Sequence, residues 1–156
     1  MPTDAERVAD LLRADLLRTD LAADTGAEPA MASLYADSVE LRHTPPLPTD
    51  APLSGAFLRD VSIAETAAAR RALPDLARDE NSVTVDGNSI RLQSTVTGTL
   101  ATTGESIKVH TDVVVEVRDG RIVAMEARLG ADAMATWGTV LAAGGFEIPT
   151  VSREAP

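Results

Sequence analysis

The sequence contains no cysteine, which excludes disulfides, thiolate metal sites and cysteine nucleophiles. Aromatic residues are nearly as scarce, with one Trp, one Tyr and two Phe in 156 residues. Any core must therefore be built from Ala, Val, Leu and Ile. Positive charge is in deficit: 14 Lys and Arg stand against 24 Asp and Glu, a formal net charge of -10. No basic cluster reverses that balance locally, so a nucleic-acid partner would be repelled at long range. The two histidines, His43 and His110, are too distant in sequence to suggest a metal-ligand pair. There is no GxGxxG, no P-loop and no calcium-loop spacing, so no cofactor is expected. No run approaches the about 20 apolar residues of a membrane span. The opening Met1-Pro2-Thr3-Asp4-Ala5-Glu6 is acidic and is followed by no apolar leader segment. The expected setting is the cytoplasm, without a membrane partner.

What is present fits one domain over residues 1–156, with its core at about 4–143 and a loose tail from Thr150 to Pro156. Val8, Leu11, Leu12 and Leu16 recur at helical spacing, which predicts a helix from Asp4 to about Ala23. Glu28-Pro29 predicts the start of a second, short helix carrying Met31, Leu34 and Tyr35. Ser38 to His43 alternates, with Val39, Leu41 and His43 on one face, and reads as a half-buried strand. Four prolines between Thr44 and Ser54 predict a loop with nothing regular in it. Gly55 to Leu73 reads as a helix stopped by Pro74. Strand patterns follow, separated by Asp86-Gly87-Asn88, Thr103-Gly104-Glu105 and Asp119-Gly120, turn signals that predict a four-stranded antiparallel meander. Gly130 to Ala143 predicts a closing helix. Helices gather first and strands later, which indicates an α+β fold rather than α/β.

Two local signatures give this order a family. Leu34-Tyr35-Ala36-Asp37-Ser38-Val39 enters the first strand, and Val115-Glu116-Val117-Arg118-Asp119-Gly120-Arg121-Ile122-Val123 spans the last hairpin. With them the chain resembles the ketosteroid isomerase and SnoaL-like polyketide cyclase superfamily, which also includes the limonene epoxide hydrolases. The resemblance runs from about Asp4 to Ala143. It implies a nuclear-transport-factor-like cone: a curved antiparallel sheet wrapped around helices, with an internal apolar pocket and a homodimeric state. Such motifs identify a fold better than a reaction.

Placed on that cone, strand alternation assigns the inward residues. They are Val39, Leu41 and His43 on the first strand, then Ile90, Leu92, Ser94 and Val96. Thr111, Val113, Val115 and Val117 follow, with Met125, Ala127 and Leu129 at the end. The outward sets are polar throughout. Candidate ligand contacts are Tyr35, Leu41, Phe57, Ser94, Val96 and Thr111, together with Val113, Met125, Ala127, Leu129 and Trp137. The lining suits a hydrophobic small molecule. By the resemblance, His43 stands where ketosteroid isomerase has its general-base aspartate. An imidazole, with an ordinary pKa of about 6.5, can take a proton from carbon alpha to a carbonyl. A histidine satisfied by a backbone carbonyl at the rim is the other reading.

Asp112 is the second candidate catalytic residue. The isomerase uses a protonated aspartic acid on this strand to bind the developing oxyanion. Ungapped matching back from Gly120 places Asp112 there. A turn one residue longer places Val113 there and turns Asp112 outward, as the polarity alternation favours. The isomerase tyrosine of the first helix has no counterpart. The epoxide hydrolase Asp-Arg-Asp set falls near Ser94, Val96 and Gly130, none of which retains it. The resemblance therefore implies a cofactor-independent isomerase or cyclase acting on a polyketide- or steroid-like carbonyl compound. The alternative is a module that keeps the pocket and only binds; epoxide hydrolysis ranks below both.

Overall fold

A computed structural model describes residues 1–16, 34–150 and 152–155. Helix α1 spans Asp4–Leu16. A reciprocal capping box starts it: the Glu6 N–H donates to Thr3 Oγ1 at 3.1 Å, and the Thr3 N–H to Glu6 Oε2 at 2.6 Å. Ala5, Val8 and Ala9 form its buried face, with Leu12 packed alongside. Leu11, expected on that face, is 42% exposed. At i+3 from Val8 it falls on the far edge of a narrow stripe that the alanines close. Residues 17–23 of the expected helix lie outside the described residues, as do Glu28, Pro29 and Met31 of the expected second one. Tyr35, placed on that second helix by the sequence, instead begins strand β1, Tyr35–Thr44.

The proline-rich segment contains a strand after all. β2, Ala51–Ser54, pairs antiparallel with β1, Pro52 lying opposite Glu40. Proline is excluded from central strands but tolerated at an edge, where its missing N–H breaks no ladder. β2 is an edge strand. Helix α2 follows, Gly55–Ala72, with the Ser54 hydroxyl capping the Phe57 N–H at 3.1 Å. Then come β3 (Ala77–Asp86), β4 (Ser89–Thr99), β5 (Ser106–Arg118), β6 (Arg121–Arg128) and helix α3 (Ala131–Ala143). Asp119 and Gly120 both take positive φ, 53° and 76°, as a tight hairpin turn requires.

The six strands form one open mixed sheet in the order β2-β1-β6-β5-β4-β3. β3 to β6 are the expected antiparallel meander, and β1 joins β6 in parallel. The architecture is α+β, with three helices among the described residues and an open sheet not closed into a barrel. Within the tail, Arg153 and Glu154 meet the sheet. The Ser54 N–H donates to the Arg153 carbonyl at 3.0 Å, Glu154 bridges to Leu53, and the Arg153 guanidinium lies 5.5 Å from the centre of the Phe57 ring. Pairing to the β2 edge satisfies backbone groups that would otherwise face solvent unpaired.

Apolar packing divides into two clusters. The first holds Val39, Phe57, Leu58, Ile90, Leu92, Val115 and Ile122 with the α1 residues. The second holds Ala69, Ala72, Leu73, Val96, Leu100, Ile107, Val109 and Val140. The α2–α3 seam at the second is close: a Cβ at Gly144 would fall on the Ala68 carbonyl oxygen, and Arg71 Nε donates to the Gly144 carbonyl at 2.7 Å. Gly144→Ala must therefore push the helices apart. The expected loss is about 1–3 kcal/mol, the usual cost of overpacking, read as a lower midpoint in urea at unchanged slope.

Candidate functional site

Among the described residues, the inner face carries its polar groups in the gap between the two clusters. On α2 one helical stripe runs Phe57, Val61, Glu65, Ala69, Ala72 at i+4 and i+3 steps, buried at its two ends and partly buried at Val61 and Glu65. Val61 packs on the first cluster and Ala69 belongs to the second. Glu65, the charged member of that stripe, sits between them. On the sheet the same division appears. Leu92 pairs Val113 at the first cluster, Val96 pairs Val109 at the second, and Ser94 pairs Thr111 between. The Ser94 and Thr111 hydroxyls are 2.7 Å apart.

His43 enters this gap from β1. It pairs with Ala127, Ala127 with Val113, and Val113 with Leu92, one continuous inner row across four strands. Its partner is Asp50, in the turn before β2. His43 Nδ1 lies 2.5 Å from Asp50 Oδ1, while Asp50 Oδ2 accepts the His43 N–H at 2.9 Å and the Leu47 N–H at 3.2 Å. Burial alone would raise the Asp50 carboxyl. The hydrogen bonds from His43 and Leu47, with the imidazole's charge, outweigh it and hold the group below the usual carboxylate value. An ionised carboxylate only accepts, so Nδ1 carries a proton toward it. The turn before β2 is thus pinned to the residue that ends the row.

Glu65 has the opposite environment. Burial pushes its carboxyl above the ordinary glutamate value, opposed by a hydrogen bond from Trp137 and by the charges of His43 and Arg78. Arg78 comes from β3, where it pairs with Val96. Directly paired residues share a sheet face, so Arg78 lies on the inner one. This inner face thus carries an imidazole bonded to a carboxylate, a carboxyl biased toward its protonated form, and a guanidinium. Thr111, Val113, Met125 and Ala127 are partly buried. The lining of the gap is more polar than the alternation of the strands implied, because the added groups come from α2, β3 and the β1–β2 turn.

The remaining candidates divide between gap, core and outer face. Leu41 and Met125 pair on the inner face and pack on the first cluster, and Leu129 is partly buried just beyond β6. Trp137 packs on the second cluster and donates to Glu65. Tyr35, Phe57 and Val96 are core residues, 7%, 6% and 0% exposed. Tyr35 also borders a hollow of about 240 Å³ at the start of α2, lined by Ser54, Arg59 and Arg121 among others. Asp112 pairs with Gln93 on the outer face and is gripped by Arg91, whose Nε and NH2 donate to it at 3.0 and 2.8 Å. That is the register in which Val113 faces inward, and it leaves Asp112 apart from His43. Arg91 holds the Asp112 carboxyl below its usual value, against a smaller effect of burial. His110 is on the same face, bonded to Thr95 at 2.9 Å.

The sequence profile of the SnoaL-like domain matches residues 18–125. No curated protein matches the chain. Among solved structures it is similar to a candidate SnoaL-like polyketide cyclase from Jannaschia sp. CCS1, with 17% identity over 87% of this chain and 94% of that one and a TM-score of 0.58. It is similar as well to an LEH-like epoxide hydrolase from M. tuberculosis, with 12% identity, 90% and 91% coverage and a TM-score of 0.55. A de novo designed protein with a curved β-sheet shares 16% identity, with 90% and 97% coverage and a TM-score of 0.56. A cyclase, a hydrolase and a design on one backbone are a likeness of fold alone. Among the described residues, no helix is long and apolar enough to cross a membrane.

Proposed function

We propose, from the premise that this chain belongs to the SnoaL-like domain family, that it catalyses proton transfer on a hydrophobic, carbonyl-containing small molecule, without a cofactor. The observation that carries this reading is the Asp50–His43 pair, whose imidazole acts on the partly buried Glu65 carboxyl. His43 Nε2 removes a proton from carbon alpha to the carbonyl. The C–H electron pair becomes the C=C bond of an enol, and the carbonyl oxygen takes up the negative charge. Protonated Glu65 donates its O–H to that oxygen, with Trp137 holding the carboxyl in place. The imidazolium then returns its proton to another carbon, an isomerisation, or the enol carbon attacks a second carbonyl, an aldol cyclisation. Asp50 fixes the tautomer and steadies the imidazolium. A polyketide- or steroid-like skeleton fits the apolar walls at Leu41, Val113 and Met125.

The test is deuterium uptake. The protein is incubated in heavy water with a panel of hydrophobic ketones and lactones, and mass spectrometry follows the alpha position. Label should appear well above the buffer rate on at least one compound that also binds. Binding across the panel with no uptake would make the protein a binding module instead.

A further inference from the structure

The hollow of about 240 Å³ at the start of α2 has no part in the proton transfer just described. Two features of the backbone form it. Tyr35 pairs with Ile122 and Glu40 with Ala124, so residues 36–39 of β1 stand against Val123 alone. Such an excess bends the longer strand away from its neighbour. α2 then starts against the bulge: a Cβ at Gly55 would fall on the Ala36 carbonyl oxygen, so only glycine lets the helix begin there. The hollow lies between the bulge, the beginning of α2 and the start of β6. Its charged lining takes one residue from each, Asp37, Arg59 and Arg121. Asp37 and Arg121 are exposed, and among the described residues neither is in an ion pair. Arg59 Nε and NH2 both meet Asp60 Oδ1, at 3.0 and 2.9 Å, which engages one edge of the guanidinium and leaves the other. With Asp60 counted, two cations stand against two carboxylates. The site offers both signs and no net charge, in a volume below the about 300–1,000 Å³ usual for drug-sized ligands.

We propose that this hollow is a second binding site, for a small zwitterion of the amino-acid class. The ligand's carboxylate seats at Arg121 and the free edge of Arg59, and its ammonium seats at Asp37. A ligand with only a carboxylate would meet Asp37 as a like charge. A ligand with only an amine would meet two guanidinium groups. A ligand with both signs gains at each pole and is opposed at neither. The dipole of α2, positive at its start, adds to the carboxylate pole. The Ser54 hydroxyl, which accepts from the Phe57 N–H, keeps its own hydrogen to donate. Ala36 and Ala56 complete the lining with apolar surface for a short side chain. The chain's net charge of -10 repels an anion at long range but acts little on a molecule with no net charge. This site is independent of the proton-transfer reading.

The experiment titrates the full chain by calorimetry with glycine, alanine, valine and leucine. Each is set beside its amide, which lacks the carboxylate, and its N-acetyl derivative, which lacks the ammonium. At least one amino acid should bind about ten- to a hundredfold more tightly than either of its derivatives, the range of a charge-assisted hydrogen bond. Arg121→Gln should weaken the amino acid by about tenfold or more and leave its amide unchanged. Asp37→Asn should weaken the amino acid as much and leave the N-acetyl compound unchanged. Both positions are exposed, so the urea midpoint should hold in each variant and a loss of binding is not a loss of fold. His43→Ala should bind the amino acid as the wild type does, which separates this hollow from the proton-transfer residues. No binding across the panel, a derivative that binds as well as its parent, or an affinity indifferent to both substitutions would each overturn the proposal. Binding lost in His43→Ala would overturn it too.

Discussion

His43→Ala is expected to reduce alpha-proton exchange by about 10²–10⁴-fold, the usual contribution of a positioned general base. Asp50 binds Nδ1 and the backbone N–H of the same residue, so one carboxylate anchors both the ring and the strand end that carries it. Ligand affinity should change little, because the ring is a minor part of the apolar lining. Asp50→Asn is the sharper companion. An amide can donate where the carboxylate accepts, which favours the wrong tautomer and withdraws charge from the imidazolium. It should slow exchange at saturating substrate with KM nearly unmoved, a split that mere loosening of the β1–β2 turn would not give. Asp112→Ala serves as the control: its pair with Arg91 is on the outer face, and exposed pairs contribute about 0–1 kcal/mol. If His43→Ala exchanges at the wild-type rate, His43 is not the base.

Much of this arrangement was legible before any coordinates, and the gaps have definite causes. Strand alternation placed His43, Val113 and Ala127 on one face, and pairing puts them in one row. It also favoured the register in which Asp112 faces out. Alternation works there because a slip of one residue would bury every charge of the outer face. β2 was missed because proline content argues against strands in general and says little about edges. Tyr35 was misplaced by a helix expected from Glu28-Pro29. Asp50 was hidden for a different reason. It acts through a turn, seven residues from His43, and turn geometry is not periodic. Glu65 was available: at i+4 from Val61 and i-4 from Ala69 it interrupts an apolar stripe, a buried charge at helical spacing. The partners that give it meaning, Trp137, Arg78 and His43, come from three separate elements, and only the fold brings them together.

Glu65 gives the second large effect, and its sign distinguishes function from architecture. Its folded value is raised by burial, so between the unfolded and folded values the native state binds more protons than the unfolded one. Stability from this group is then fully present below the ordinary glutamate value and is lost as pH rises through the raised value. Glu65→Gln keeps the shape and the acceptor for the Trp137 N–H but cannot ionise. In urea titrations from about pH 4 to 8, bracketing the glutamate reference value near 4.3, it should match the wild type at the acid end and exceed it at the neutral end. Activity should move the other way. The amide cannot hand over a proton, and Glu65→Leu offers no donor at all. The Leu variant should lose about 10²–10³-fold, as when an oxyanion donor is removed. Wild-type kcat/KM should fall as pH rises through the raised Glu65 value, and the Gln profile should lack that limb. A carboxyl kept at a cost to stability and required for turnover is a working group. A Gln variant less stable at every pH, with the limb intact, would instead make Glu65 a structural residue and leave the oxyanion without its donor.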